Sequence, residues 1–163
     1  MIITEDDQLY LAAWTASRIP HLQAMLVRRG APFGVIRPEE PLPFRAMAAV
    51  RDRQIVAAIV YDRYHHWGND CNDVQATFAA EPGWARRDGR AIVRGLLGPP
   101  FEQWGCIRVT CLVGATNTKC WKMLEKLGFE REGLHPFALD GTEDLLSYGL
   151  LKDRAQRWLT TDR

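Results

Sequence analysis

The run Arg86-Arg87-Asp88-Gly89-Arg90-Ala91 gathers the residue types that hold phosphate, and it lies between a strand-like and a helix-like segment. Backbone N–H groups in the first turn of a helix find no carbonyl inside the helix and carry partial positive charge, so they suit an anion. Gly89 lets the backbone approach a pyrophosphate without an intervening Cβ. Arg86, Arg87, Arg90 and Arg94 offer charge-assisted donors. Asp88 opposes this, because a carboxylate inside an anion cradle repels; it is expected to point outward. Taken alone, the run reads equally as a solvated charged turn before an amphipathic helix.

The densest set of ligand-type residues is His65-His66-Trp67-Gly68-Asn69-Asp70-Cys71. Adjacent histidines usually point apart, and no i, i+4 spacing brings them together, so a metal is not expected. A solvated loop that touches a substrate is the expected reading, with a histidine as a further candidate base. The four cysteines, Cys71, Cys106, Cys111 and Cys120, form no CxxC pair. Reduced thiols are expected rather than a disulfide framework or zinc site.

These residues need elements to position them. Thr4 and Asp7 resemble a capping box ahead of a helix through Leu9, Trp14 and Ile19. A second helix is expected from Pro20, with Leu22, Met25 and Leu26 on one side and Gly30 beyond its end. The prolines between Arg37 and Pro43 exclude regular structure. Phe44 to Val50 and Gln54 to Tyr61 read as strands joined at Arg51-Asp52-Arg53. The second is apolar on both faces, as a covered central strand should be. A polar loop is expected from Asp62 to Asn72, then a strand from Val74 to Ala80. A helix follows from about Arg90, stopped by Gly98-Pro99-Pro100. Ile107 to Val113 reads as a strand and Asn117 to Leu127 as the clearest helix, ended by Gly128. Strands near Phe129 to Leu139 and Asp144 to Leu151 flank an Asp140-Gly141 turn. This order predicts an α/β layer with a mixed sheet.

The chain of 163 residues fits one domain, residues 1–163, with no repeat or linker to divide it. At 47% hydrophobic, 25% charged and a net charge of +1, it has the composition of a soluble globular protein without a broad basic surface. Nucleic acid is therefore not indicated by charge, though not excluded. No apolar run is long enough to span a bilayer, and the acidic start lacks signal-peptide order. A cytoplasmic protein without a membrane partner is expected.

The segment from Asn117 to Gly133, with Glu125-Lys126-Leu127-Gly128-Phe129 and Glu132-Gly133 inside it, resembles the C-terminal motif of GNAT N-acetyltransferases. Arg86 to Ala91 resembles that family's coenzyme A signature, and the two occur in the family's order. The likeness covers roughly residues 44 to 152 and is nearest to ribosomal-protein N-terminal acetyltransferases and phage acetyltransferase-like proteins. It implies the GNAT fold, a mixed central sheet with helices on both faces. It also implies acetyl-CoA as acyl donor and an amine acceptor, either a small molecule or a protein N-terminus.

By the same likeness, the strand at Val74 to Ala80 splays from that at Ile107 to Val113. Pantetheine pairs with the backbone of Phe78, Ala79 and Ala80, and Asn117 contacts it or caps the helix. Arg86, Arg87, Gly89, Arg90 and Ala91 hold the pyrophosphate.

The many members that protonate the leaving thiolate with a tyrosine carry it where this chain has Leu124. In the nearest branch a serine three residues after the Asn suits that role, and here it is Cys120, whose thiol would exchange a proton with a thiolate of similar pKa, about 8.5. Its place in the first helical turn should lower that value. Small-residue packing is the alternative for Cys120, and Tyr148 is the fallback acid. Asp73 is the best-placed candidate base, against a purely local backbone-bonding role; Glu81 is expected to face solvent. Two rival functions stand beside acetyl transfer: a catalytically degenerate binding or structural module, and a nucleobase-modifying enzyme. Acceptor identity and oligomeric state stay open.

Overall fold

The computed structural model describes residues 2–4, 9–13, 45–52, 54–67 and 70–160. They form two compact units, Met1–Arg63 with Thr77–Pro99 and Tyr64–Ala76 with Pro100–Arg163.

In the first unit β1 (Ile2–Thr4), β2 (Leu9–Ala13), β3 (Arg45–Arg51) and β4 (Gln54–Trp67) pair antiparallel in succession. The helix expected through Leu9 is a strand instead. Leu9 to Ala13 pair residue by residue with Arg51 to Met47, so a neighbouring strand meets backbone needs that a helix would meet internally. The rest of that expected helix, the one from Pro20, and the proline-rich stretch lie outside the described residues. Ala57, Ala58, Ile59, Val60 and Tyr61 are all buried in succession, which requires cover on both faces of β4 as expected. The loop expected from Asp62 is also overturned. β4 continues to Trp67 and β5 (Asp70–Ala80) begins three residues on. The aromatic residues Tyr64 and Trp67 favour a strand despite the polarity of this segment.

α1 (Gly89–Glu102) runs through the Gly98-Pro99-Pro100 stop. Pro100 has no N–H for the carbonyl of Leu96, four residues back, and a buried unpaired carbonyl is costly. The buried hydroxyl of Tyr61 donates to that carbonyl, supplying the bond proline cannot.

In the second unit β5 runs parallel to β6 (Arg108–Gly114). β6 pairs antiparallel with β8 (Glu143–Leu151), and β8 with β7 (Glu130–Leu139). The order β5-β6-β8-β7 makes the sheet mixed, as expected for the α/β class. Asp140 and Gly141, at φ 52 and 69, form the β7–β8 turn. Two successive positive φ values are the signature of a type I′ hairpin.

α2 (Thr118–Leu127) begins at the N-cap Asn117 and ends at Gly128, whose φ of 101 is the left-handed cap. All four of its terminal carbonyls are met. Phe129 and Gly128 donate backbone N–H to Leu124 and Glu125. Arg157 and Trp158, from α3 (Lys152–Leu159), donate to Lys126 and Leu127 at 2.5 and 2.7 Å. Leu124 is buried in this unit, as are Phe129, Leu146 and Leu150.

Among the described residues no helix is long and apolar enough to cross a membrane.

Candidate active site

In the first unit the chain leaves β5 through a tight loop. Glu81 N–H bonds Val56 O at 2.8 Å, Trp84 N–H bonds Glu81 O, and Arg86 N–H bonds Gly83 O. Phe78 and Trp84 pack edge to face, with ring centroids 5.3 Å apart. The loop closes at Asp88, whose φ of 59 is left-handed and whose carbonyl accepts the first helical bond from Ile92 N–H. The backbone N–H groups of Ala85, Asp88 and Gly89 have no acceptor among the described residues. Arg86, Arg87 and Arg90 are exposed beside them, and Arg94 is half-buried. The sequence therefore located a set of donors, and the structure gathers them. Gly89 has a further cause: an added Cβ would sit 3.1 Å from the Cβ of Ala85.

Asp88 does not point outward. Its carboxylate is only 15% exposed, 3.2 Å from Arg87 Nε and 3.8 Å from Arg51 Nη2. Arg51 also donates to the carbonyls of Arg87 at 2.6 Å and Trp84 at 3.4 Å. It is the last residue of β3, and nothing local in the sequence singles it out.

In the second unit Asp73 stands opposite Arg108 in the β5–β6 ladder, which spans Asp73 to Ala76. Past Ala76, β5 continues through Phe78, Ala79 and Ala80. The hydroxyl of Thr110 donates across both carboxylate oxygens of Asp73 at 2.9 Å, and Arg108 Nε lies 3.4 Å from it. Arg108 also grips Glu132 with both terminal nitrogens. That bond holds the Glu132 carboxyl below the usual carboxylate range and raises Arg108. Asp73 is thus one end of a charge chain over three strands, which its neighbours in sequence do not announce. The Arg108–Glu132 pair crosses Gly149, where an added Cβ would meet Glu132 Oε1 at 2.4 Å.

Asn117 Oδ1 accepts from Cys120 N–H at 3.2 Å, the N-cap bond. Its amide nitrogen keeps two donors for another partner. Cys120 is half-buried on the inner side of α2, and desolvation pushes its thiol up to about 11. The expected lowering is overturned, because burial outweighs the helix end. Cys111 is fully buried on β6 opposite Tyr148, and its thiol is also raised, first by desolvation and then by Cys120. The Tyr148 ring is buried while its hydroxyl donates to Glu125 Oε1 at 3.1 Å; desolvation, then Glu125, raises its pKa. Leu124, where many GNAT enzymes place their acid, is a core residue.

Glu81 is half-buried rather than turned to solvent. His65, His66 and Trp67 lie on β4, not in a loop. Among the described residues no group of three or more His, Cys, Asp or Glu side chains is placed to hold a metal.

No protein-family model matches the chain, and no curated protein matches its sequence. Solved structures do. The spermidine/spermine N-acetyltransferase SpeG from Vibrio cholerae matches with a TM-score of 0.73 at 12% identity, over 92% of this chain and 97% of that one. A dodecameric spermidine N-acetyltransferase from the same organism gives 0.69 at 14% identity, over 90% and 95%. A structure described as "probable acetyltransferase" gives 0.65 at 17% identity, over 93% and 96%. The chain therefore has the fold of the GNAT N-acetyltransferases.

Proposed function

We propose that the chain is an acyl-CoA-dependent N-acyltransferase that passes acetyl from acetyl-CoA to a primary amine by direct attack in a ternary complex. The observation that carries this reading is the fold, shared over 92% of the chain with an N-acetyltransferase. The orphan N–H groups of Ala85, Asp88 and Gly89, flanked by Arg86, Arg87 and Arg90, fit a pyrophosphate. Bound acetyl-CoA supplies an acyl thioester, activated for attack.

The chain's own residues do the rest. The loop and Ala91 at the helix start hold phosphate. The backbone of Phe78, Ala79 and Ala80 pairs with the pantetheine arm like an added strand, and an N–H there steadies the oxyanion. Asn117 caps α2 with its oxygen and offers its nitrogen to a pantetheine carbonyl. Asp73 takes the amine's proton through water, held in orientation by Thr110 and Arg108. Cys120 stays a thiol at neutral pH and stabilises the departing thiolate mainly as a hydrogen-bond donor. Full transfer from a thiol at about 11 to one near 8.5 runs uphill about three-hundredfold. Tyr148 is the alternative donor. Proximity and backbone groups supply most of the acceleration.

The Asn117 to Gly133 motif supports the ribosomal-protein N-terminal acetyltransferase branch, so an N-terminal peptide belongs with spermidine on the acceptor panel. The cytoplasm, where thiols such as Cys111 and Cys120 stay reduced, suits this reading. Titration calorimetry with acetyl-CoA tests it: saturable binding is expected, and none at about 1 mM overturns it.

Buried Leu124 at the usual tyrosine position favours one second reading, a module that binds coenzyme without turnover. Coenzyme binding with no thiol release on a broad amine panel would select it. A nucleobase-modifying role has only the loop arginines behind it, and the coenzyme accounts for those.

A further inference from the structure

We infer that Arg51 is a positioning residue for the coenzyme's pyrophosphate: it orients the loop amides that receive the anion without touching the anion itself. The inference rests on the coenzyme-binding reading above and adds a residue from a distant strand to it. A trans peptide is planar, with its C=O and N–H pointing in opposite directions, and no peptide bond among the described residues is cis. Fixing a carbonyl therefore fixes the next residue's N–H the other way. Arg51 Nη2 holds the carbonyl of Arg87 at 2.6 Å and that of Trp84 at 3.4 Å. The amides so aimed away from Arg51 belong to Asp88 and Ala85. Both are among the loop amides that have no acceptor among the described residues, a set that also holds Gly83 and the adjoining Gly89.

Two more features fit this role. Asp88 holds a left-handed φ of 59 without being glycine, a conformation that persists where surroundings enforce it. Its carboxylate, which would repel a phosphate, is drawn toward Arg51 and Arg87 instead. Arg51 does this at a local cost, since its buried Nε has no partner among the described residues. A guanidinium placed only for stability would be expected to satisfy that donor too.

The test compares coenzyme A with pantetheine, which has the same arm and no pyrophosphate. In R51Q the dissociation constant for coenzyme A should rise at least about tenfold, while that for pantetheine changes less than about twofold. Arg51→Lys, which keeps the charge but loses the forked donor geometry, should give an intermediate loss of the same selectivity. In the unmutated protein, coenzyme A should slow hydrogen exchange at the Ala85 and Asp88 amides, a measurement that needs no variant to fold. Equal weakening of both ligands, an unchanged coenzyme A affinity in R51Q, or unprotected Ala85 and Asp88 amides overturns the role of Arg51. Absence of coenzyme A binding by the unmutated protein is a different result, and overturns the coenzyme reading itself.

Discussion

Cys120 lies three residues past the N-cap of α2, where a helix dipole favours a thiolate, yet burial raises its thiol to about 11. A thiol with a raised folded-state pKa contributes stability that is complete below its unfolded value. From the ordinary thiol value of 9.0 to about 11 that contribution is lost as pH rises. Two consequences are measurable. Alkylation of Cys120 by iodoacetamide, followed by mass spectrometry, should keep accelerating with pH and show no plateau below about pH 10. Cys120→Ser should flatten part of the decline in stability above pH 9; an early plateau and an unchanged decline would show a reactive, exposed thiol. At this scale residue types were legible in the sequence, but not what they face. Arg86, Arg87 and Gly89 suggest an anion loop by type and spacing alone. Arg51 sits 36 residues before Arg87 and carries no local mark, because its role exists only once β3 and the loop are brought together. Asp73 was legible as a carboxylate, but its bonds to Thr110 and Arg108 come from a strand 37 residues away.

Elements were legible where local signals and tertiary packing agree. α2 has its cap at Asn117, its apolar face and its terminal glycine, and the Asp140-Gly141 hairpin has its turn residues. They diverge in α1, where two prolines predict a stop that the helix does not obey. Tyr61 explains the difference, and it can be tested by a double-mutant cycle. Tyr61→Phe should cost about 1–3 kcal/mol in urea denaturation, because the Leu96 carbonyl loses its donor. Pro100→Ala restores a backbone N–H, so the same tyrosine change should cost measurably less in that background. Equal costs in both backgrounds would mean that the hydroxyl does not replace the missing helix bond. Gly128→Ala gives a second test: φ is 101 and the new Cβ would meet Arg157 Nη2 at 3.0 Å. A loss of about 1–2 kcal/mol is expected from the left-handed backbone alone. The failed helix at Leu9 to Ala13 has the opposite cause: its apolar residues carry no decisive period, and pairing with β3 decided it.

For the whole molecule, the prediction concerns ligand linkage. Saturating acetyl-CoA at about a hundred times its dissociation constant should stabilise the protein by about 2.7 kcal/mol. For a chain of this size that corresponds to a rise in Tm of roughly 5–10 °C, readable in a thermal shift assay. Pantetheine alone should give a smaller shift if the phosphate loop supplies much of the affinity. The α/β class and the mixed sheet followed from element order, because parallel strands need a crossover and α1 provides it between β5 and β6.

The donors that finish α2 come from α3, and they give the molecule a temporal property. A ribosome releases Leu127 some thirty residues before Trp158 follows it. Until then the helix bearing Asn117 and Cys120 has two terminal carbonyls still awaiting their donors. A nascent chain paused after Leu151 should therefore hold that helix loosely, and its proteolytic resistance should appear only when the last helix emerges.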